Sequence, residues 1–180
     1  MTRMVLSALV AALAALVAAP VAAEEVYGGV YAHAVETPFT FDTGEGGVDI
    51  QLGYRADPLE ALSFIGAPSP YVFASVNLDG DTNFAGAGLS WKFALGDVYV
   101  RPGIGLVVHD APSLRVDPET RIRTDLGSRV LFEPEIAIGT RLSDSVTAEV
   151  SWVHISNARL FNSEQNPGID TIGVRLNLAL

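Results

Sequence analysis

The sequence predicts an all-β fold, an eight-stranded antiparallel β-barrel that crosses an outer membrane and has a filled polar interior. Three observations predict it. The first 23 residues have the layout of an export signal, apolar and polar residues alternate with a period of two along the rest of the chain, and charged residues lie in mid-strand opposite apolar faces. Together these features favour a barrel whose apolar face meets lipid.

The composition limits the classes of protein to which the chain can belong. Its 180 residues suit one ordinary domain. The absence of Cys excludes a disulfide framework, Cys-ligated zinc and a cysteine nucleophile. Eleven basic residues against 21 acidic ones, with a net charge of -10, argue against a nucleic-acid partner. The charged fraction of 18% lies below the value of about a quarter that is usual in soluble domains.

Residues 1–23 are typical of a secretory signal peptide. Arg3 supplies a positive charge, residues 4–19 are apolar or small, and Pro20 is followed by small residues up to Ala23. The alternative is a transmembrane anchor, because about 20 apolar residues can span a bilayer. The proline and the small residues favour cleavage after Ala23, so that residues 24–180 form the barrel domain.

The eight strands are predicted from alternation. They lie near 26–35 and 71–78, and over 48–54, 85–93, 98–108, 130–142, 146–152 and 172–180. Several have ten residues or more, which exceeds the usual length in soluble sheets. About 9–11 residues is the length that a tilted strand needs to cross a bilayer.

The polar faces of the strands indicate which kind of barrel forms. Charged residues lie in mid-strand opposite continuous apolar faces: Arg129, Glu133, Glu135, Arg141, Glu149 and Arg175. A soluble barrel would have an apolar interior, whereas an outer-membrane barrel turns its apolar face to lipid and pairs its charges inside. With eight strands the interior is just wide enough for side chains to fill it, which disfavours an open channel.

The connections follow from an even number of strands, which places both termini on the periplasmic side. Short turns are expected there at 94–97 and 143–145, and long external loops at 36–46, 109–127 and 157–169. Two connections depart from this pattern. The periplasmic segment 55–70 is long, with a short helix expected near 59–65, and the external turn 79–82 is tight.

Three polar residues fall on the face that should meet lipid. His154 and Ser156 continue the apolar face that ends at Trp152, and residues two apart on a strand share one surface. If Trp152 pairs with Ile172, then Asp170 lies opposite His154 with Cβ atoms about 4.5–5.5 Å apart. An acid that orients a histidine beside a serine is the arrangement of a serine hydrolase. The alternative is that His154 and Ser156 are interfacial residues near the lipid headgroups.

No catalytic role is predicted for the other two histidines. His109, Asp110 and Ser113 lie at a strand end and in a long loop, where solvated residues are expected. His33 has no nearby partners in the sequence and is interpreted as a plain barrel residue.

Several segments resemble one known family. Residues 154–170 run HISNARLFNSEQNPGID, and they are accompanied by LGSRVLF at 126–132, DTIGVRL at 170–176 and YVFASVNLDGD at 71–81. These segments resemble the lipid A 3-O-deacylase family of PagL-type outer-membrane acyloxyacyl hydrolases. That resemblance implies an eight-stranded barrel with a Ser-His-acid triad on its outer surface.

The resemblance also implies roles for particular residues. Ser156 would be the nucleophile, His154 the base and Asp170 the acid, at a position where the family has Glu. Asn166 would contribute to the oxyanion hole, with Asn157 as the second candidate. The remaining implied residues are Glu164 as a substitute acid and Arg159 as a contact for a lipid A phosphate.

The implied function is a serine esterase that removes the 3-hydroxyacyl chain from position 3 of lipid A in the outer leaflet. It needs no cofactor and no metal. Its partners would be lipopolysaccharide and outer-membrane lipids but no nucleic acid, and the resemblance leaves a homodimer open. The alternative function is a non-catalytic small barrel of the structural or adhesion type.

Overall fold

The computed structural model describes residues 24–40, 43–112, 115–116, 123–124, 126–160 and 166–180. The predicted signal peptide, Ser113 and Glu164 lie outside the described residues. In the part of the chain that is described, no helix is long and apolar enough to cross a membrane.

The described residues form eleven β-strands and one short 3-10 helix. The strands are β1 Glu25–Ala32, β2 Val48–Arg55, β3 Ser69–Asn77, β4 Phe84–Ser90, β5 Phe93–Leu95, β6 Val98–His109, β7 Arg115–Val116, β8 Arg123–Thr124, β9 Val130–Arg141, β10 Val146–Ile155 and β11 Ile169–Ala179. The 3-10 helix spans Glu60–Ile65, within the segment where the sequence predicts a short helix.

Eight of these strands close into an antiparallel barrel, which confirms the predicted fold class. The order around the wall is β4, β3, β2, β1, β11, β10, β9 and β6, and β4 pairs with β6 to complete the circle. The first and last strands join through the pairs Glu25 with Ala179 and Ala32 with Ile172. The short strand β5 adds to β6, and β7 pairs with β8 in a separate hairpin.

A network of ion pairs fills the interior. Arg175 contacts Glu149 through Nε and lies 2.9 Å from Glu135 through one of its terminal nitrogens. Arg101 bridges Glu149 at 2.9 Å and Glu25 at 3.0 Å. Because each of these charges has a partner of opposite sign, they can lie in the polar lumen predicted from the alternation without remaining uncompensated. The carboxylate of Glu133, also buried, accepts a hydrogen bond from the hydroxyl of Tyr71.

Two of the residues expected in this interior lie elsewhere. Arg129 is exposed just before β9, and Arg141 is exposed at its last position. Arg129 donates to the backbone oxygen of Ala111, 2.5 Å away, in the adjoining loop region. The alternation along β9 would direct both side chains toward the lumen, but the ends of the strand lie beyond the enclosed part of the barrel.

The predicted strand over 85–93 is interrupted. β4 ends at Ser90, and the chain resumes as β5 in a tight hairpin with β6. Trp91 occupies the break, where its backbone N donates to Pro102 O at 2.9 Å and its indole Nε1 donates to Ile65 O at 2.8 Å. The alternating pattern in the sequence thus extends beyond the end of the strand, because Trp91 leaves the β4 ladder to bond to the 3-10 helix.

Candidate active site

The pairing of β10 with β11 brings the three predicted site residues together. Trp152 pairs with Ile172, and His154 therefore lies directly opposite Asp170, in the register expected from the sequence. A shift by one residue would turn an apolar face of one strand into the lumen, so this register is strongly specified. His154 and Ser156 continue the outer face of the wall beyond Trp152.

The three side chains form a continuous chain of hydrogen bonds. His154 Nδ1 lies 2.6 Å from Asp170 Oδ1, and His154 Nε2 lies 2.9 Å from Ser156 Oγ. The carboxylate can only accept, so Nδ1 carries the proton and Nε2 is left to accept the hydrogen of the serine hydroxyl. Asp170 is completely buried, whereas 12% of the His154 side chain remains exposed. This arrangement can deprotonate a serine for nucleophilic attack.

The backbone of Ser156 is held by β9. Its N donates to Phe132 O at 3.1 Å, and Phe132 N donates to Ser156 O at 2.8 Å. This bridge fixes Ser156 just beyond the end of β10. The N–H of Ser156 is consequently occupied and is not a free donor for a negatively charged oxygen.

The side chain of Asn157 supports the turn that follows the serine. Its Nδ2 donates to Leu126 O at 3.0 Å, and its Oδ1 accepts a hydrogen bond from Arg159 N at 2.6 Å. Ala158 and Arg159 have φ angles of 53° and 58°, a left-handed conformation that is uncommon for residues with a side chain. Asn157 is completely buried, so its amide stabilises this strained turn next to Ser156.

Asn166 and Gly168 lie on the other flank of the site, just before β11. Asn166 is half-buried, and its Oδ1 has no hydrogen-bond partner among the described residues. Gly168 is packed against the imidazole, because a Cβ at this position would lie 2.6 Å from His154 Cε1. The sequence pointed to the Asn-Pro-Gly segment only through the family resemblance, whereas the structure gives a steric reason for its glycine.

Asp170 has a further partner that sequence reasoning missed. Thr37, in the loop after β1, donates its hydroxyl hydrogen to Asp170 Oδ2. The two residues are 133 positions apart in the chain, and no local pattern could have connected them.

The expectation that His33 has no nearby partners is wrong. Its Nδ1 lies 2.9 Å from Asp49 and its Nε2 lies 2.8 Å from Glu45. Burial alone would lower the pKa of His33, but the hydrogen bonds to Asp49 and Glu45 outweigh it and raise the pKa from 6.5 to about 9. Since both ring nitrogens donate to carboxylates, neither can act as a base.

His109 and Asp110 have separate structural partners. His109 Nε2 contacts Ser128 O at 2.7 Å, and Asp110 accepts hydrogen bonds from the backbone and side chain of Asn83. Burial raises the pKa of Asp110, but the two bonds from Asn83 outweigh it and lower the pKa. Among the described residues, no group of three or more acidic or histidine side chains is arranged to hold a metal ion.

Comparison with protein families identifies a family that matches most of the barrel. The family model described as lipid A 3-O-deacylase (PagL) matches residues 68–179, which is more than half of the chain. The matched region includes Ser156, His154 and Asp170 as well as Asn157 and Asn166. A comparison with curated protein sequences finds no match.

Solved structures with the same fold include three bacterial barrels. The crystal structure of the outer membrane enzyme PagL has a TM-score of 0.60 and 20% identity, covering 87% of this chain and 99% of that one. Neisserial surface protein A has a TM-score of 0.56 and 8% identity, covering 87% and 97%. The N-terminal β-barrel domain of Pseudomonas aeruginosa OprF has a TM-score of 0.51 and 9% identity, covering 86% and 97%. The fold is thus that of outer-membrane β-barrels.

Proposed function

Because the chain belongs to the lipid A 3-O-deacylase family, we propose that it hydrolyses the ester of the 3-hydroxyacyl chain at position 3 of lipid A by a Ser-His-Asp mechanism. The observation that carries this proposal is the hydrogen-bonded chain from Asp170 through His154 to Ser156 on the outer face of the wall. Polar side chains on a face that meets lipid are costly, and a catalytic role explains why three occur together.

The first half of the reaction forms an acyl-enzyme. Ser156 Oγ attacks the ester carbonyl while His154 Nε2 accepts its proton, and Asp170 stabilises the resulting imidazolium through Nδ1–H. The tetrahedral intermediate then collapses as His154 returns the proton to the departing 3-oxygen of the sugar. Water, deprotonated by His154, attacks the acyl-enzyme in the second half and releases a 3-hydroxy fatty acid.

Asn166 is the better of the two candidates for the oxyanion hole. Asn157 has its amide nitrogen bonded to Leu126 O and its oxygen bonded to Arg159 N, both on the buried side of the turn. The N–H of Ser156 donates to Phe132. Asn166 is half-buried beside the site, and a donor of this kind contributes about 3–4 kcal/mol to stabilising the transition state in other enzymes.

Aspartate replaces the glutamate of the family without loss of contact. Asp170 and His154 are directly paired residues of neighbouring strands, and the shorter side chain reaches Nδ1 at 2.6 Å. Direct pairing brings the two Cβ atoms close enough for the shorter acid. The substitute acid Glu164 is therefore not needed for this mechanism.

The wall beside the site suits an acyl chain. Val150 and Val174 are exposed on the outer face of β10 and β11, below His154 and Asp170. Trp152 lies between them and the site, with its ring centroid 6.1 Å from that of the imidazole. The ring of Phe39 packs against Trp152 at a tilt of 35°, with the two centroids 5.7 Å apart. We place the ester near this rim, in the outer leaflet, with its acyl chain along the apolar wall and its sugar toward Arg159 and the loops.

The test is the mass of lipid A after incubation of lipopolysaccharide with the full-length protein in detergent micelles. Wild type should remove one 3-hydroxyacyl chain, and Ser156→Ala should leave lipid A intact. Ser151→Ala is the matched control, because Ser151 lies on the same strand but is buried on the lumen side. If Ser156→Ala removes the chain as fast as wild type, the mechanism is wrong. If wild type and Ser156→Ala both leave lipid A intact, the proposed deacylase function is replaced by the alternative of a non-catalytic barrel.

A further inference from the structure

The loop after β1 contacts the acid of the site at two points. Thr37 donates its hydroxyl hydrogen to Asp170 Oδ2, the carboxylate oxygen that does not face His154. Two residues earlier, Val35 N donates to the backbone oxygen of Asp170 at 2.8 Å. This loop therefore holds both the backbone and the carboxylate of Asp170.

The direction of the Thr37 hydrogen bond is fixed by its surroundings. Because a carboxylate oxygen can only accept, the Thr37 hydroxyl donates its hydrogen to Asp170, and its oxygen accepts a hydrogen bond from Phe39 N at 3.1 Å. Thr37 N in turn donates to Thr40 Oγ1 at 3.2 Å. Asp170 is completely buried, and the contact with Thr37 leaves both of its carboxylate oxygens partnered.

We propose that Thr37 is a positioning residue for this site, whose hydroxyl holds the Asp170 carboxylate in the plane that aims Oδ1 at His154 Nδ1. The last torsion of an aspartate is broad and roughly two-fold, so a carboxylate held through one oxygen can rotate away from the imidazole. A second, fixed donor on Oδ2 removes that freedom. The role rests on the proposed function, since it acts only through the triad.

The first experiment compares Thr37→Val with wild type in deacylation of lipopolysaccharide by the full-length protein in micelles. Valine keeps the shape of the side chain but leaves Oδ2 without a donor, and kcat should fall about tenfold, as expected for a hydrogen bond to a charged group. KM should stay unchanged, because the hydroxyl of Thr37 acts through Asp170. Thr37→Ser should restore kcat, and Thr140→Val is the control, since its hydroxyl bonds to Asp97 O at the other end of the barrel.

The second experiment separates positioning from a general effect on the loop. In an Asp170→Asn background, Thr37→Val should cause no further loss, because the group on which Thr37 acts is already impaired. Equal losses in both backgrounds, or a kcat of Thr37→Val within about twofold of wild type while Ser156→Ala is inactive, would overturn the role of Thr37 alone. If wild type and Ser156→Ala release equal amounts of fatty acid, the proposed function fails and the role of Thr37 fails with it.

Discussion

His33 and His154 occupy the same rim of the barrel on opposite sides of its wall. Ala32 and Trp152 both pair with Ile172, so His33, just after β1, and His154, near the end of β10, lie at nearly the same level. His33 continues the buried face of β1 into the lumen and is 4% exposed. His154 continues the outer face of β10. Each has a carboxylate within hydrogen-bonding distance of Nδ1.

The difference between the two sites lies at the second ring nitrogen. In His33 it faces Glu45, so the imidazole donates twice and stays protonated. In His154 it faces the hydroxyl of Ser156 and can accept a proton. A carboxylate beside a histidine thus does not make it a general base. The group on the other nitrogen decides whether the imidazole is held in ion pairs or can accept a proton.

Exchanging each histidine for glutamine should separate the two roles most strongly. His154→Gln should lower deacylation by about 10⁴-fold or more, as removal of a triad base does in other serine hydrolases, and leave folding intact. His33→Gln should retain most of the activity but unfold at a lower urea concentration. Both are measured on the same preparations by lipid A mass and urea unfolding. Comparable loss of activity in the two variants would remove the distinction between the sites.

The packing around the His154 imidazole can be changed through Gly168. A methyl group here would lie 2.6 Å from His154 Cε1 and 3.2 Å from Ile155 O, so the imidazole must move in Gly168→Ala. We expect kcat to fall about 100-fold, the scale of a small misplacement in other active sites. Gly46→Ala is the matched control beside His33, where an added methyl meets nothing within 4 Å. Similar kcat values for the two variants would show that the imidazole position is not critical.

The ion pairs of His33 should make stability depend on pH. Its pKa is 6.5 in the unfolded chain and about 9 in the barrel, so the contribution is complete below 6.5 and is lost as pH rises through about 9. The shift corresponds to about 3 kcal/mol of the free energy of unfolding. Urea unfolding from pH 6 to 10 should show this decline in wild type and a smaller one in His33→Gln. Parallel curves would contradict a protonated His33.

The smallest effect is expected at the partner of Glu45. Thr82 Oγ1 donates to Glu45 Oε1 at 2.7 Å and helps to hold this carboxylate against His33. Thr82→Val should lower the free energy of unfolding by about 1–2 kcal/mol. Deacylation should be unchanged, because this contact belongs to the His33 site on the lumen side of the wall. A loss of activity without a loss of stability would show that the two sides of the wall are coupled.

The register of β10 and β11 could be predicted because each face has its own chemistry. Val150 and Val174 must both face lipid, while Glu149 and Arg175 must both face the lumen, and a register shifted by one residue would violate these conditions. Once Trp152 pairs with Ile172, the positions of His154 and Asp170 follow. The pairing of these two residues is therefore a consequence of strand alternation.

One partner of His33 could not be predicted in this way. Asp49 comes from β2, which pairs with β1, whereas Glu45 lies before β2 and 12 residues after His33, where no strand register places it. The alternation along β1 correctly predicts that His33 points inward, but it does not predict the contact with Glu45. The sequence did not predict that β4 ends at Ser90 for a similar reason. Trp91 leaves the strand because its indole donates to the backbone oxygen of Ile65 in the 3-10 helix, which alternation cannot reveal.

The sequence by itself determined the barrel, its polar interior and the shared outward face of His154, Ser156 and Asp170, because a period of two acts between neighbours on a strand and across one ladder. Only the tertiary structure decided what completes each histidine site. Thr37 reaches Asp170 and Glu45 reaches His33 through loops, whose paths depend on closure of the wall between β1 and β11. Contacts made by loops follow no periodic pattern in the sequence, so they could not be inferred from it.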